Sequence, residues 1–127
     1  LAHRLVMRPQ FFDLLLLPNL YRDIVSEHGA ATIGVLGLAT PGCYGEDFPY
    51  SEPSHGTAPD ISGLGVINPT ATLMSAILMF RHVVLSSAAD RIGKAIRRVY
   101  TIAEHLTQDQ GGTSTTEEFA DAVIGEL

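Results

Sequence analysis

Two groups of residues in this sequence have types and spacing suited to chemistry. The first is the stretch His55-Gly-Thr-Ala-Pro-Asp-Ile-Ser-Gly-Leu-Gly-Val-Ile-Asn68, which sets a histidine, a carboxylate and an amide among glycines and prolines. Pro59, Ile61, Val66, Ile67 and Pro69 stiffen and anchor it, while Gly56, Gly63 and Gly65 permit tight local turns. Irregular segments of this length inside compact domains are usually functional or disordered, and this composition marks a binding loop. The second group is Asp23 and Glu27, one helical turn apart and so projecting from one helix face. That pair has two readings. One is a solvated acidic face; the other is a site for Mg²⁺ or Mn²⁺, hard cations that prefer carboxylate oxygens and usually take only one or two from the protein.

Elements able to carry these residues can be read on either side of them. Residues 1 to 8 fit the last turns of a helix that Pro9 stops. The apolar run Phe11 to Leu17, bounded by Pro9 and Pro18, predicts a strand buried on both faces, as in a parallel sheet flanked by helices. Asn19 then caps a helix running to about Ala31, and this helix presents Asp23 and Glu27. Gly34 to Ala39 reads as a glycine-punctuated strand, Thr40 to Gly45 as a turn cluster, and Phe48 to Pro53 as an extended piece leading into the loop.

Beyond the loop, Asn68 and Pro69 signal a helix start. Leu73, Ala76, Ile77, Phe80 and Val84, with Met74, Leu78 and Met79 beside them, predict a helix buried nearly all round. Ser87 to Asp90 resembles a capping box for a further helix with Ile92, Ala95, Ile96, Val99, Tyr100 and Ala103 inward and Arg91, Lys94, Arg97 and Arg98 in solvent. Ser114 or Thr115, with Glu117 or Glu118, caps a last helix that docks through Phe119, Val123 and Ile124.

Three separated motifs, in order and in register, carry a resemblance. Asn19-Leu-Tyr-Arg-Asp-Ile-Val-Ser-Glu27, the loop from His55 through Asn68-Pro-Thr-Ala71, and Asp109-Gln-Gly-Gly-Thr113 together resemble the isocitrate and isopropylmalate dehydrogenase family, over essentially the whole chain and matching the family's C-terminal third. The resemblance implies an α/β fold, with residues 1–33 ending the small domain and residues 34–127 forming the C-terminal part of the large domain. It implies an NAD(P)-dependent, metal-dependent oxidative decarboxylase of a small-molecule 2-hydroxy acid. Isocitrate leads, on Tyr21 and the His55-Gly-Thr triplet; isopropylmalate, homoisocitrate and tartrate, or a non-catalytic regulatory subunit that keeps a nucleotide site, are the alternatives.

Residue by residue, the resemblance places the adenosine half of the cofactor against His55, Gly56, Thr57, Ala58, Pro59, Asp60, Ile61 and Asn68. His55 would contact the adenine, the backbone of Gly56 to Ala58 would approach the nucleotide, and Asn68 would hydrogen-bond the adenine edge. Asp60 occupies the position that separates NAD from NADP enzymes: a carboxylate accepts both hydroxyls of a ribose diol and repels a 2′-phosphate, which selects NAD. Asp23, with Glu27, would ligate Mg²⁺ or Mn²⁺. Two residues depart from the family pattern, Arg22 where glycine is usual and Glu27 where aspartate is usual. The family's catalytic tyrosine, lysine and substrate-clamping arginines match no position here, so no catalytic residue is assigned. The resemblance also implies a homo-oligomer, at least a dimer, or an assembly with related subunits, located in the cytoplasm or, in a eukaryote, the mitochondrial matrix.

Composition adds exclusions. The net charge is −6, which argues against nucleic acid and anionic membrane as partners. The longest uninterrupted apolar run, Ala76 to Phe80, is far shorter than the roughly 20 residues of a membrane helix. Cys43 is alone, so neither an internal disulfide nor a cysteine-based zinc site can form. Leu1 is not an initiator methionine and no secretory signal follows it, so the chain reads as a piece of a longer protein.

Overall fold

The computed structural model describes residues 1–32 and 38–127, in two compact units, 1–36 and 37–127. The strand read at Gly34 to Ala39 falls largely outside the described residues.

In the first unit, helix α1 (Ala2–Met7) packs on helix α2 (Asn19–Thr32). Pro9 ends α1 as expected and opens a short 3-10 turn, Pro9–Phe11. The expected strand at Phe11 to Leu17 is not formed. Leu14 and Leu16 are 87% and 96% exposed, and among the described residues the one sheet lies elsewhere. A buried strand exists only when neighbours take its backbone hydrogen bonds and cover both its faces, and the described residues give this run neither. Helix α2 begins at Asn19 rather than after it, with Pro18 carbonyl accepting the Arg22 N–H at 2.9 Å.

The second unit is α/β, three helices with a small antiparallel ribbon. Strand β1 (Gly42–Cys43) pairs with β2 (Tyr50–Ser51), Gly42 opposite Ser51 and Cys43 opposite Tyr50. β1 therefore arises inside what reads as a turn cluster. The Ser51 hydroxyl donates to Ser75 carbonyl at 2.9 Å and the Thr40 hydroxyl to Ala71 carbonyl at 3.0 Å, which ties the ribbon to helix α3 (Thr70–His82). Helices α4 (Ser86–Ile102) and α5 (Thr116–Gly125) complete the core. Ile77, Ala89, Ala95, Ile96, Val99, Phe119 and Val123 are its buried centre.

Expectations change here: Val84, read on the α3 stripe, lies beyond that helix and is exposed, and Ala103, read as inward on α4, caps its end and is exposed. α3 is not buried all round: Ala71, Ser75 and Ile77 face inward while Met74 and Met79 stay exposed, because α4 covers one stripe and the ribbon only part of the rest. The box at Ser87 to Asp90 does not form. α4 starts two residues earlier, Leu85 carbonyl accepts the N–H groups of Ala88 and Ala89, and Asp90 instead meets Arg81 at 3.4 Å. The box at Thr115 and Glu118 does form, each side chain taking the other's backbone N–H. These bonds from Thr115, backbone first and hydroxyl second, hold the Glu118 carboxyl below its ordinary pKa. Phe119 and Val123 dock α5 as expected, but Ile124 points outward. Among the described residues no helix is long and apolar enough to cross a membrane.

Candidate functional site

The ribbon delivers the chain to the loop through Ser54, whose N–H donates to Ala39 carbonyl at 3.2 Å. His55 follows, with its Nδ1 3.1 Å from Gly56 carbonyl. A carbonyl only accepts, so in the neutral ring Nδ1 carries the proton and Nε2 is an acceptor. That Nε2 is buried and has no hydrogen-bond partner among the described residues. Beside it, Gly56 and Thr57 are exposed, and the space where a Gly56 side chain would stand is open.

Ala58 adopts the left-handed conformation (φ 40°, ψ 62°), unusual for a residue with a Cβ and a form of backbone strain that clusters at ligand-binding positions. It turns the chain into the 3-10 turn Pro59–Ile61, which holds Asp60 in its first turn with the carboxylate in solvent. Gly63 (φ 80°) and Gly65 (φ 65°) supply the positive-φ turns that glycine is suited to.

The far end of the loop is bolted down. Thr116, opening α5, donates its N–H to Gly65 carbonyl at 2.7 Å and its hydroxyl to Ile67 carbonyl. Asn68 is 3% exposed. Its Nδ2 donates to Tyr100 hydroxyl at 3.1 Å and Asp109 Oδ2 at 3.0 Å, and its Oδ1 accepts the Thr70 N–H at 3.0 Å. Asn68 thus serves the start of α3, as its position before Pro69 indicates, and its side-chain amide is committed inside the protein.

Asp109 belongs to the third motif, whose form now has a reason. Thr107, fully buried, donates its hydroxyl to Asp109 Oδ1 at 2.5 Å. Gly111 takes φ 79°, and a Cβ on Gly112 would run into the Leu106 backbone, so both glycines are needed for the turn that closes with Ser114 N–H on Leu106 carbonyl at 2.9 Å.

The metal candidates Asp23 and Glu27 both lie on α2 and are exposed. Their oxygen donors suit Mg²⁺ or Mn²⁺ in type and number, a shell that substrate and water would complete. Arg22 stands against this, its Nη2 and Nε donating to Asp23 Oδ1 at 2.8 and 3.0 Å. Among the described residues no group of three or more histidine, cysteine or acidic side chains is arranged to hold a metal ion.

Comparison with known proteins gives the family. The sequence model of the isocitrate/isopropylmalate dehydrogenase family matches residues 1–123. The chain belongs to that family. It is 43% identical to mitochondrial isocitrate dehydrogenase [NAD] catalytic subunit 6 of Arabidopsis thaliana, over 97% of this chain and 33% of the relative. It is 42% identical to the 3-isopropylmalate/3-methylmalate dehydrogenase of Methanocaldococcus jannaschii, over 94% of this chain and 35% of the relative. The crystal structure of isocitrate dehydrogenase from Methylococcus capsulatus superposes with a TM-score of 0.92 at 37% identity, covering 98% of this chain and 38% of that one. The chain therefore spans about a third of the length of the curated relatives it matches.

Sequence reasoning placed Asn68 and quoted Asp109 but missed what joins them. Tyr100 reads as an ordinary inward residue of an amphipathic helix, and Thr70 and Thr116 as helix starts. Buried threonines beside a buried asparagine were the available signal, since buried polar groups must find partners.

Proposed function

We propose that the chain carries the adenosine-side cofactor loop and part of the metal site of an NAD-dependent β-decarboxylating dehydrogenase, most closely an isocitrate dehydrogenase, with residues 1–33 ending its small domain and 34–127 belonging to its large domain. The observation that carries this reading is the loop itself, with open backbone at Gly56 and Thr57, the left-handed turn at Ala58 and the exposed carboxylate of Asp60. Asp60 accepts the adenosine ribose hydroxyls and disfavours a 2′-phosphate. The Asn68 side-chain amide is already committed, so its part in recognising adenine falls to its main chain. Asp23 and Glu27 hold the cation. When bound, NAD supplies the hydride acceptor and the divalent cation the Lewis acid that polarises the substrate's hydroxyl and carboxylate oxygens.

The substrate is a 2-hydroxy acid, with isocitrate first and isopropylmalate, homoisocitrate and tartrate behind it. The assembly is a homo-oligomer, at least a dimer, or one with related subunits, in the cytoplasm or the mitochondrial matrix. Calorimetric titration tests the cofactor assignment: NAD binds at least about tenfold more tightly than NADP, and Asp60→Ala narrows the gap. Equal or reversed preference in the unmutated chain overturns it. Arg22 favours a second reading, a non-catalytic nucleotide-binding subunit. Thermal stabilisation by NAD, with no Mn²⁺ effect that Asp23→Asn removes, selects the second reading; a Mn²⁺ effect abolished by Asp23→Asn selects the first.

A further inference from the structure

We propose that Tyr100 and Asp109 are positioning residues for the cofactor loop, fixing its Asn68 end in the shape that receives adenosine. The inference rests on the cofactor reading above and extends it to two residues that need not touch the ligand.

Asn68 Nδ2 carries two hydrogens, and two acceptors face them, the Tyr100 hydroxyl at 3.1 Å and Asp109 Oδ2 at 3.0 Å. With Thr70 N–H on Oδ1, the amide has one orientation that satisfies every partner. Each acceptor is itself held. The Tyr100 hydroxyl lies 2.8 Å from Thr70 Oγ1, and its ring meets Phe119 edge-on with centroids 5.6 Å apart. Asp109 is anchored by the hydroxyl of buried Thr107 inside the glycine-dependent turn. Helix α4, helix α5 and the 107–114 turn thereby converge on one side chain at the end of the loop. At its other end the loop includes left-handed Ala58, a conformation that persists only when surrounding structure over-determines it.

The chemistry needed at position 109 is an acceptor, not a charge. An asparagine there can turn its oxygen to Asn68, so Asp109→Asn keeps the acceptor on Asn68 and loses only the bond from the Thr107 hydroxyl, while Asp109→Ala leaves a buried N–H unpaired.

The test is titration of the full chain with NAD and, separately, AMP, well below the melting temperature, with hydrogen exchange followed at residues 63–68. Asp109→Ala weakens both ligands about three- to tenfold and speeds exchange in the loop, while Asp109→Asn stays within about twofold of the unmutated chain. Tyr100→Phe keeps the ring on Phe119, loses only the hydroxyl, and weakens both ligands over the same range; it carries the test if Asp109→Ala fails to fold. Folded variants that bind both ligands as tightly as the unmutated chain, with only their melting temperatures lowered, assign the network to stability alone and overturn the inference. Equal losses for Asp109→Ala and Asp109→Asn overturn it as well, since charge and not geometry would then act. If the unmutated chain binds neither ligand, the cofactor-loop reading fails and this inference falls with it.

Discussion

Phe119 and Leu16 are both large apolar residues, yet one is fully buried and the other is 96% exposed. They stand for two regions built differently. In the unit 37–127, three helices supply one another's neighbours, and the loop from His55 to Asn68 is tied by buried side-chain hydrogen bonds to that core. In the unit 1–36, two helices meet, only Ala30 is buried among the described residues, and the candidate metal ligands stand on an exposed helix face. The difference teaches that a residue's burial depends on the neighbours the fold brings to it. Both segments are apolar in sequence; only one is given company.

The strongest way to break this contrast is to truncate one residue of each kind. Phe119→Ala lowers stability by about 3–5 kcal/mol, as large-to-small core changes do, whereas Leu16→Ala stays within about 0.5 kcal/mol. Chemical denaturation of the full chain reads both, and a Leu16→Ala cost comparable to that of Phe119→Ala abolishes the distinction.

A smaller effect sharpens the account of the cofactor half. Thr115→Ala removes the cap that starts α5 beside Thr116 and costs about 1 kcal/mol, measured the same way. In the metal half the expected change is of opposite sign for binding. Arg22→Gly frees Asp23 Oδ1 and tightens Mn²⁺ binding by at most about fivefold, since exposed ion pairs are weak; weaker Mn²⁺ binding in that variant shows that Arg22 assists the site.

The smallest effect is a pH dependence. The lowered pKa of Glu118 means that the unfolded chain takes up this proton first as pH falls. The stabilisation is therefore complete above the ordinary glutamate pKa and is lost as pH falls through the lowered one. Thermal melts of Glu118→Gln against the unmutated chain, scanned through the acid range, converge at low pH.

Much of the helical part was legible in the sequence, for particular reasons. Periodicity located α3, α4 and α5, and the Thr115 and Glu118 box announced the start of α5, because these signals depend on residues a turn apart. The capping box at Ser87 misled because Leu85 carbonyl captured the first N–H groups two residues earlier. The run Phe11 to Leu17 forms no strand here because a strand is defined by partners remote in sequence, and none lies among the described residues.

The candidate site divides the same way. By itself the sequence determined the residue types of the loop, the glycines at its positive-φ turns, the carboxylate at Asp60 and the family to which these belong, since each is local chemistry in a fixed order. Tertiary structure alone decided that His55 Nε2 is buried without a hydrogen-bond partner among the described residues, that the Asn68 amide is committed between Tyr100 and Asp109, and that Arg22 lies on Asp23. In the first two, meetings of groups far apart along the chain decide the outcome. In the third, backbone geometry and rotamer choice turn two adjacent side chains toward each other, and no spacing rule announces either event.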